Sequence, residues 1–317
     1  MKVRIWGARG SLPTPMSNAQ LLQKQRLLLQ EASPEDIASP EAIEAYLDRS
    51  SHARTYGGNT SCVEVSVAGK TLILDAGSGI KALSDALFAE GRALKDELAL
   101  CLTHFHWDHI CGLPFFGPVY VPKRKLDIWS WREAEDTDRL LSIQMNDAHF
   151  PMKWEQLGSE RVCHQFDVDG TNEVMGFSIR CLKMNHPDGA YGYRVEHEGH
   201  AVCYITDTEV SKTPEEFAAA YAGFVEGADL VIVDAMYGFL EYHEHYDFGH
   251  SSVFTWIDFF RESGIGELVV FHHDPTADDQ TLDKLVDSGA RYRELVAKDA
   301  PWTLSVAREG QTWQLGD

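Results

Sequence analysis

The chain has 317 residues, 44% of them hydrophobic and 11% aromatic, enough to bury a sizeable core. Its 49 acidic against 28 basic side chains give a formal charge of −21, which repels a long polyanion and disfavours a protein that grips DNA or RNA by its backbone. No apolar run approaches the roughly 20 residues of a membrane span, Met1 to Gly7 reads as a strand and not as a signal peptide, and six scattered cysteines lack C-x-x-C spacing. These features predict a cytoplasmic enzyme folded as one domain over residues 1–317.

The first strand ends at Arg9-Gly10-Ser11. Residues 14–50 then read as a helical insertion: Leu21, Leu22, Leu28 and Leu29 recur at helical spacing, and Ser33-Pro34 and Ser39-Pro40 are helix starts. Its apolar stripe favours an edge cover or a homodimer contact over a lid. A turn-rich loop, Tyr56 to Ser61, leads into a hairpin of strands 62–67 and 71–74. The turn Asp75-Ala76-Gly77-Ser78-Gly79 opens a helix over 80–90, and Asp75 is placed to support a metal-bound histidine.

The run Glu97 to Leu102 has the composition of a buried strand and delivers His104-Phe105-His106-Trp107-Asp108-His109 at its end. Two histidines at i and i+2 share one side of an extended chain, whereas the adjacent Asp108 and His109 must diverge once it turns. That geometry suits two metal ions side by side, His104 and His106 on one, Asp108 and His109 on the other. Each ion still needs ligands from elsewhere.

Further on, a strand is predicted over 126–131 and a helical, irregular stretch over 133–157. Strands follow at 162–168 and 176–183, the latter ending before His186, and a hairpin through Gly199 delivers Asp207. Thr213-Pro214-Glu215-Glu216 reads as a capping box, and a strand over 229–233 reaches Asp234. Glu241 to Asp247 reads as a solvated acidic loop containing His243 and His245. A helix over 251–262, a strand over 267–271 ending at His272-His273, a helix over 278–297 and strands 302–307 and 311–315 close the chain.

With His104, His106, Asp108, His109, His186, Asp207 and His272 in that order, and Gly249-His250-Ser251-Ser252 after them, the chain resembles the metallo-beta-lactamase superfamily. Within it, the motif order is similar to the ribonuclease Z-like and cyclic phosphodiesterase-like branch. The resemblance implies a four-layer αββα sandwich of the α/β class. It also implies a dinuclear site: His104, His106 and His186 on one metal, Asp108, His109 and His272 on the other, and Asp207 bridging. His273 is a rival for His272, but His272 is the first residue past its strand. The cofactor is expected to be two divalent ions, zinc first, with manganese or iron as alternatives.

A metal-bridging hydroxide would attack phosphorus, oriented by Asp108, while His250 resembles the family's proton donor to the leaving alkoxide. Asn59, Ser251 and Ser252 are candidate substrate contacts, the serines at a helix start. Two ions partly neutralised by carboxylates leave a small positive spot that suits a singly charged phosphodiester. Ribonuclease Z carries a protruding arm that holds tRNA, and the short span between His186 and Asp207 shows no basic insertion to serve as one. The expected substrate is therefore a small or cyclic phosphodiester. The alternatives are ribonuclease Z-like RNA processing, an ester or thioester hydrolase of the same fold, and a non-catalytic small-anion sensor. Di-iron oxidoreductases of this fold place a glutamate where His106 stands.

Overall fold

Runs such as Thr71-Leu72-Ile73-Leu74 and Leu230-Val231-Ile232-Val233 are apolar on both faces, so they form strands that must be covered on both sides. The computed structural model describes residues 1–210, 215–245 and 248–316. The chain begins β1 (Lys2–Gly7), α1 (Asn18–Glu31), α2 (Pro40–Arg49), β2 (Cys62–Val67), β3 (Lys70–Leu74) and α3 (Ile80–Ala89). It continues β4 (Glu97–Cys101), α4 (Trp107–Ile110), β5 (Lys125–Ser130), α5 (Ala134–Ile143), β6 (Glu160–Gln165), β7 (Thr171–Val174), β8 (Phe177–Met184) and β9 (Ala190–His197). The remainder is β10 (His200–Ile205), α6 (Glu215–Val225), β11 (Leu230–Asp234), α7 (Phe239–Glu244), α8 (Val253–Phe259), β12 (Glu267–Phe271), α9 (Asp279–Val296), β13 (Thr303–Val306) and β14 (Thr312–Gln314).

Among the described residues the strands make two sheets, in the orders β14-β1-β2-β3-β4-β5-β6 and β13-β12-β11-β10-β9-β8-β7. Side chains alternate across each strand. Leu72, Leu74, Ala99, Cys101, Leu230 and Ile232 meet in the core between the sheets. Ile73, Leu98 and Leu100 instead pack outward with Leu83 and Leu87 of α3 and Leu141 of α5. On the other side Val231, Val233 and Leu268 pack with Trp256 of α8 and Leu282 of α9. The result is the expected αββα sandwich, with each fully buried Leu, Ile or Val contributing about 1.5–3 kcal/mol.

Strands β3 and β4 run parallel, as do β10, β11 and β12, so each group ends on one edge of its sheet. Strand β8 points the same way as β10, because both pair antiparallel with β9. The loops leaving these ends meet across the sandwich, the usual place for a site in such sheets.

The insertion is helical, as expected; Ser33-Pro34 and Ser39-Pro40 start a short turn and α2 as read from the sequence, whereas the Ser17 and Gln20 box that caps α1 was not among the expected starts. Its leucine stripe behaves differently. Helix α1 buries none of its residues, and Leu21, Leu22 and Leu29 stay exposed. Polar contacts fix it instead, chiefly Lys24 Nζ on Asp279 Oδ2 at 2.7 Å and the Tyr46 hydroxyl on the Leu28 carbonyl.

Two local expectations are corrected, and one strand is added that the sequence reading did not include. Phe239–Glu244 is the helix α7 and not a loop, started by Glu241 reaching back to the Gly238 amide at 2.7 Å. The polar stretch Thr171–Val174 pairs with β8 as a short edge strand that composition hides. The helix expected over 251–262 is shorter, because Ser252 caps it and its helical residues begin at Val253. The capping box at Thr213-Pro214 and the end of the acidic loop at Tyr246-Asp247 lie outside the described residues.

Candidate metal centre

Strand β3 ends at Asp75, a fully buried residue with φ of 62°. Its carboxylate accepts from Thr103 N at 2.8 Å, from the Thr103 hydroxyl, from the Tyr204 hydroxyl at 3.0 Å and from His109 Nδ1 at 2.8 Å. This fixes the end of β4 and the ring of His109 together. With Nδ1 donating to Asp75, the His109 Nε2 lone pair faces the centre. Asp207 after β10 and His272 after β12 also adopt positive φ, 55° and 57°. For residues other than glycine this conformation is strained, and it recurs where a strand must turn a functional side chain inward.

Three groups of ligand-type atoms result among the described residues. Asp108, His109, Asp207 and His272 form one, all buried, His104, His106 and His186 form a second, and Asp234, His250 and His272 form a third that shares His272 with the first, each group with its ligand atoms within 4.8 Å of one another. Asp207 lies between the first two. Its Oδ2 is 3.1 Å from His109 Nε2, and its Oδ1 is 3.4 Å from His272 Nε2, 3.9 Å from His104 Nε2 and 4.0 Å from His186 Nε2. Asp108 Oδ2 is 3.1 Å from His272 Nε2 and accepts the Ser11 amide at 2.7 Å. Gly10 permits this approach, since a Cβ there would stand 2.4 Å from the His272 ring.

The donor set fits divalent cations. Buried His104 Nε2 and His109 Nε2, both turned toward Asp207, have no hydrogen-bond partner among the described residues, and a buried polar atom left so costs about 1–3 kcal/mol. Burial works against charge at Asp108 and Asp207, yet His109 and His272 hold both carboxylates well below the usual range, so they stay ionised. Burial also opposes charge on His109, but the surrounding Asp207, Asp108 and Asp75 favour a cation there strongly. At His104 and His186 burial is the largest influence and keeps both imidazoles neutral to lower pH, the form in which they bind metal.

His250 stands beside the buried group, its ring stacked 5.0 Å from that of His272. Its Nδ1 is 2.7 Å from Asp234 Oδ2. Burial opposes its charge, but Asp234 first, then Asp207 and Asp108, push its pKa up to about 9. Asp234 was not singled out as a site residue from sequence. It is fully buried at the end of β11, and the signal was there: an aspartate at a strand's end, as at Asp75 and Asp207.

The other candidates fall elsewhere. His273 points away, its Nε2 donating to the Ala307 carbonyl at 2.9 Å. Asn59 is held by Glu309 and by the Ser78 hydroxyl, at 3.0 and 2.9 Å. Ser251 is buried, accepting from Val210 N and donating to the Thr208 carbonyl at 3.0 and 2.5 Å, and Ser252 caps α8 by accepting from Phe254 N. His245 stacks on Tyr237 and His243 packs against Phe239, and neither belongs to a metal-capable group among the described residues.

Two clusters of imidazole and carboxylate on the shared edge of an αββα sandwich define a metal-dependent hydrolase with a dinuclear metal cofactor. The chain belongs to the beta-lactamase superfamily domain family, whose model matches residues 70–273. Among curated proteins it is 29% identical over 159 residues to endoribonuclease YSH1 of Yarrowia lipolytica, a match covering 46% of this chain and 19% of that protein. The chain thus spans about a fifth of the length of that relative. Among solved structures it resembles unliganded yeast PDE1, with a TM-score of 0.64, 14% identity and 99% of each chain covered. It likewise resembles Zn²⁺-bound PqqB from Methylobacterium extorquens, with a TM-score of 0.63, 19% identity, and 99% of this chain and 100% of that one covered. At these identities the structural likeness concerns the fold. Among the described residues no helix is long and apolar enough to cross a membrane.

Proposed function

We propose that this protein hydrolyses phosphodiester bonds, with His104, His106 and His186 holding one divalent ion, Asp108, His109 and His272 holding the other, and Asp207 shared. Zinc is the ion best suited to this mixed imidazole and carboxylate set. When bound, such ions supply the Lewis acidity that acidifies water and neutralises charge on phosphoryl oxygens.

The chain's own groups do the rest. Asp75 sets the tautomer of His109, and the Ser11 amide holds the Asp108 carboxylate in place. His250 carries the reading. A protonated imidazole, oriented by a buried carboxylate and set against the metal-facing His272, is what a departing alkoxide requires as proton donor. Asp234 keeps that proton on His250.

Two substrate sizes compete, each on its own observation. The curated relative is named an endoribonuclease, which supports an RNA phosphodiester. The formal charge of −21 supports the small or cyclic ester, because it opposes a long polyanion. The deciding experiment offers metal-loaded protein bis-p-nitrophenyl phosphate, a panel of cyclic nucleotides and a short RNA oligonucleotide, beside His250→Ala. The expected result is about two equivalents of metal in both proteins, with turnover reduced about 10²–10⁴-fold in the variant. Full metal with no turnover on any phosphodiester rejects the reading and returns weight to an ester or thioester hydrolase.

A further inference from the structure

Two large and mostly exposed rings neighbour the open histidine cluster along the chain, Trp107 and Phe248, the second also edge-on to His245 at 5.3 Å. Trp107 stands between His106 and Asp108 in the chain, yet it is 82% exposed. Phe248 is 60% exposed and precedes Gly249, whose carbonyl lies 3.3 Å from His186 Nδ1. His106 and His186 face each other with ring nitrogens 3.2 Å apart. An exposed ring therefore adjoins each member of that pair.

Single apolar side chains on a surface need no explanation. These two differ because Trp107 directly follows His106 and Phe248 directly precedes the residue whose carbonyl meets His186, and because that cluster is where the centre opens: His106 is exposed while the group of Asp108, His109, Asp207 and His272 is wholly buried. A substrate that enters beside His106 and His186 would come close to the residues that carry these rings. A flat, water-exposed indole offers a π-face to a planar group, and base stacking on such a face tolerates any base. It also requires no cation, so it works on a protein whose charge is −21.

We infer that the substrate carries a nucleobase beside its scissile phosphodiester, and that this base stacks on Trp107, with Phe248 as a second platform. The inference rests on the phosphodiester reading and narrows its substrate to nucleotide-type esters. It does not depend on whether the substrate is a dinucleotide or a longer strand.

The test uses metal-loaded, full-length protein and two readouts. In the first, adenosine monophosphate is titrated while tryptophan fluorescence is followed in wild type and in Trp107→Phe, whose difference isolates Trp107 among the eight tryptophans. Saturable quenching confined to the wild-type difference signal is expected, and its absence overturns the proposal. In the second, kcat/KM is compared for a dinucleoside monophosphate and its abasic counterpart. Wild type should favour the base-bearing ester about ten-fold, through KM. That ratio should fall toward one in Trp107→Ala, partly in Phe248→Ala, and be largely kept in Trp107→Phe, with metal content checked in each. A ratio near one in wild type, or one unchanged in Trp107→Ala, overturns the proposal. If wild type cleaves neither ester, the phosphodiester reading fails, and the titration still decides the stacking.

Discussion

Asp108, His109, Asp207 and His272 are buried to the last side chain, whereas His104, His106 and His186 run from buried to exposed. The difference extends to what holds them. In the buried group His109 is clamped by Asp75, and Asp108 is clamped by the Ser11 amide. In the open group the partners are neutral: His104 Nδ1 meets the Thr103 hydroxyl at 3.1 Å, His186 Nδ1 meets a backbone carbonyl at 3.3 Å, and His106 and His186 face each other at 3.2 Å. Outer partners of this kind fix ligand orientation and raise metal affinity. With a carboxylate behind His109, the buried cluster should hold an ion more tightly than the open one.

The largest expected effect breaks both halves at once. Asp207 is within 4.0 Å of a ring nitrogen from His104, His109, His186 and His272. Asp207→Ala should lower metal content from about two equivalents to below one by elemental analysis. Turnover should drop roughly a thousandfold or more, beyond what one transition-state donor supplies. Two retained equivalents would contradict the shared role of Asp207. Asp75→Asn comes next. It leaves every ligand atom in place but removes the charge that orients His109, so affinity for the buried ion should weaken about 10–100-fold in a chelator competition.

His106→Ala should do less to metal retention, and selectively. The open cluster loses one of three ligands while Asp108, His109, Asp207 and His272 are untouched. One equivalent should remain after dialysis, with turnover lost until metal is added in excess. Equal loss of both ions would remove the distinction between the two clusters.

That distinction was half legible in the sequence. The clustering could be anticipated, His104 to His109 from a motif that follows an apolar run and His186, Asp207 and His272 through the family resemblance, and the structure brings these residues together. Enclosure could not be read, because it depends on loops arriving from distant strands: Ser11 reaches Asp108 across 97 positions, and Tyr204 reaches Asp75 across 129. Asp234 carried the strand-end signal, but its partner did not show, since only the fold brings His250 against it. Helix α7 was hidden by its composition, because glutamate and histidine between turn residues resemble a solvated loop until Glu241 caps the Gly238 amide. The leucines of α1 show the converse, a helical period that predicts the helix but not what, if anything, covers it.

The smallest expected effect separates two neighbours that sequence alone left as rivals. His273 is wholly buried, and burial first pushes its pKa down to about 3, so it stays neutral in the folded protein. Unfolded, a histidine takes its proton near pH 6.5. Between those values the unfolded chain binds the proton and the folded one does not, so stability must fall as pH falls, by at most about 1.4 kcal/mol per pH unit. His273→Gln keeps a donor for the Ala307 carbonyl but cannot titrate. Thermal melts between pH 7 and pH 5 should therefore show a shallower decline for the variant than for wild type, with metal content unchanged. His272 predicts the opposite pattern, because His272→Gln removes a ligand-type atom from the buried cluster and should release metal at every pH. Loss of metal in the His273 variant would show that its bond to Ala307 is not its main task.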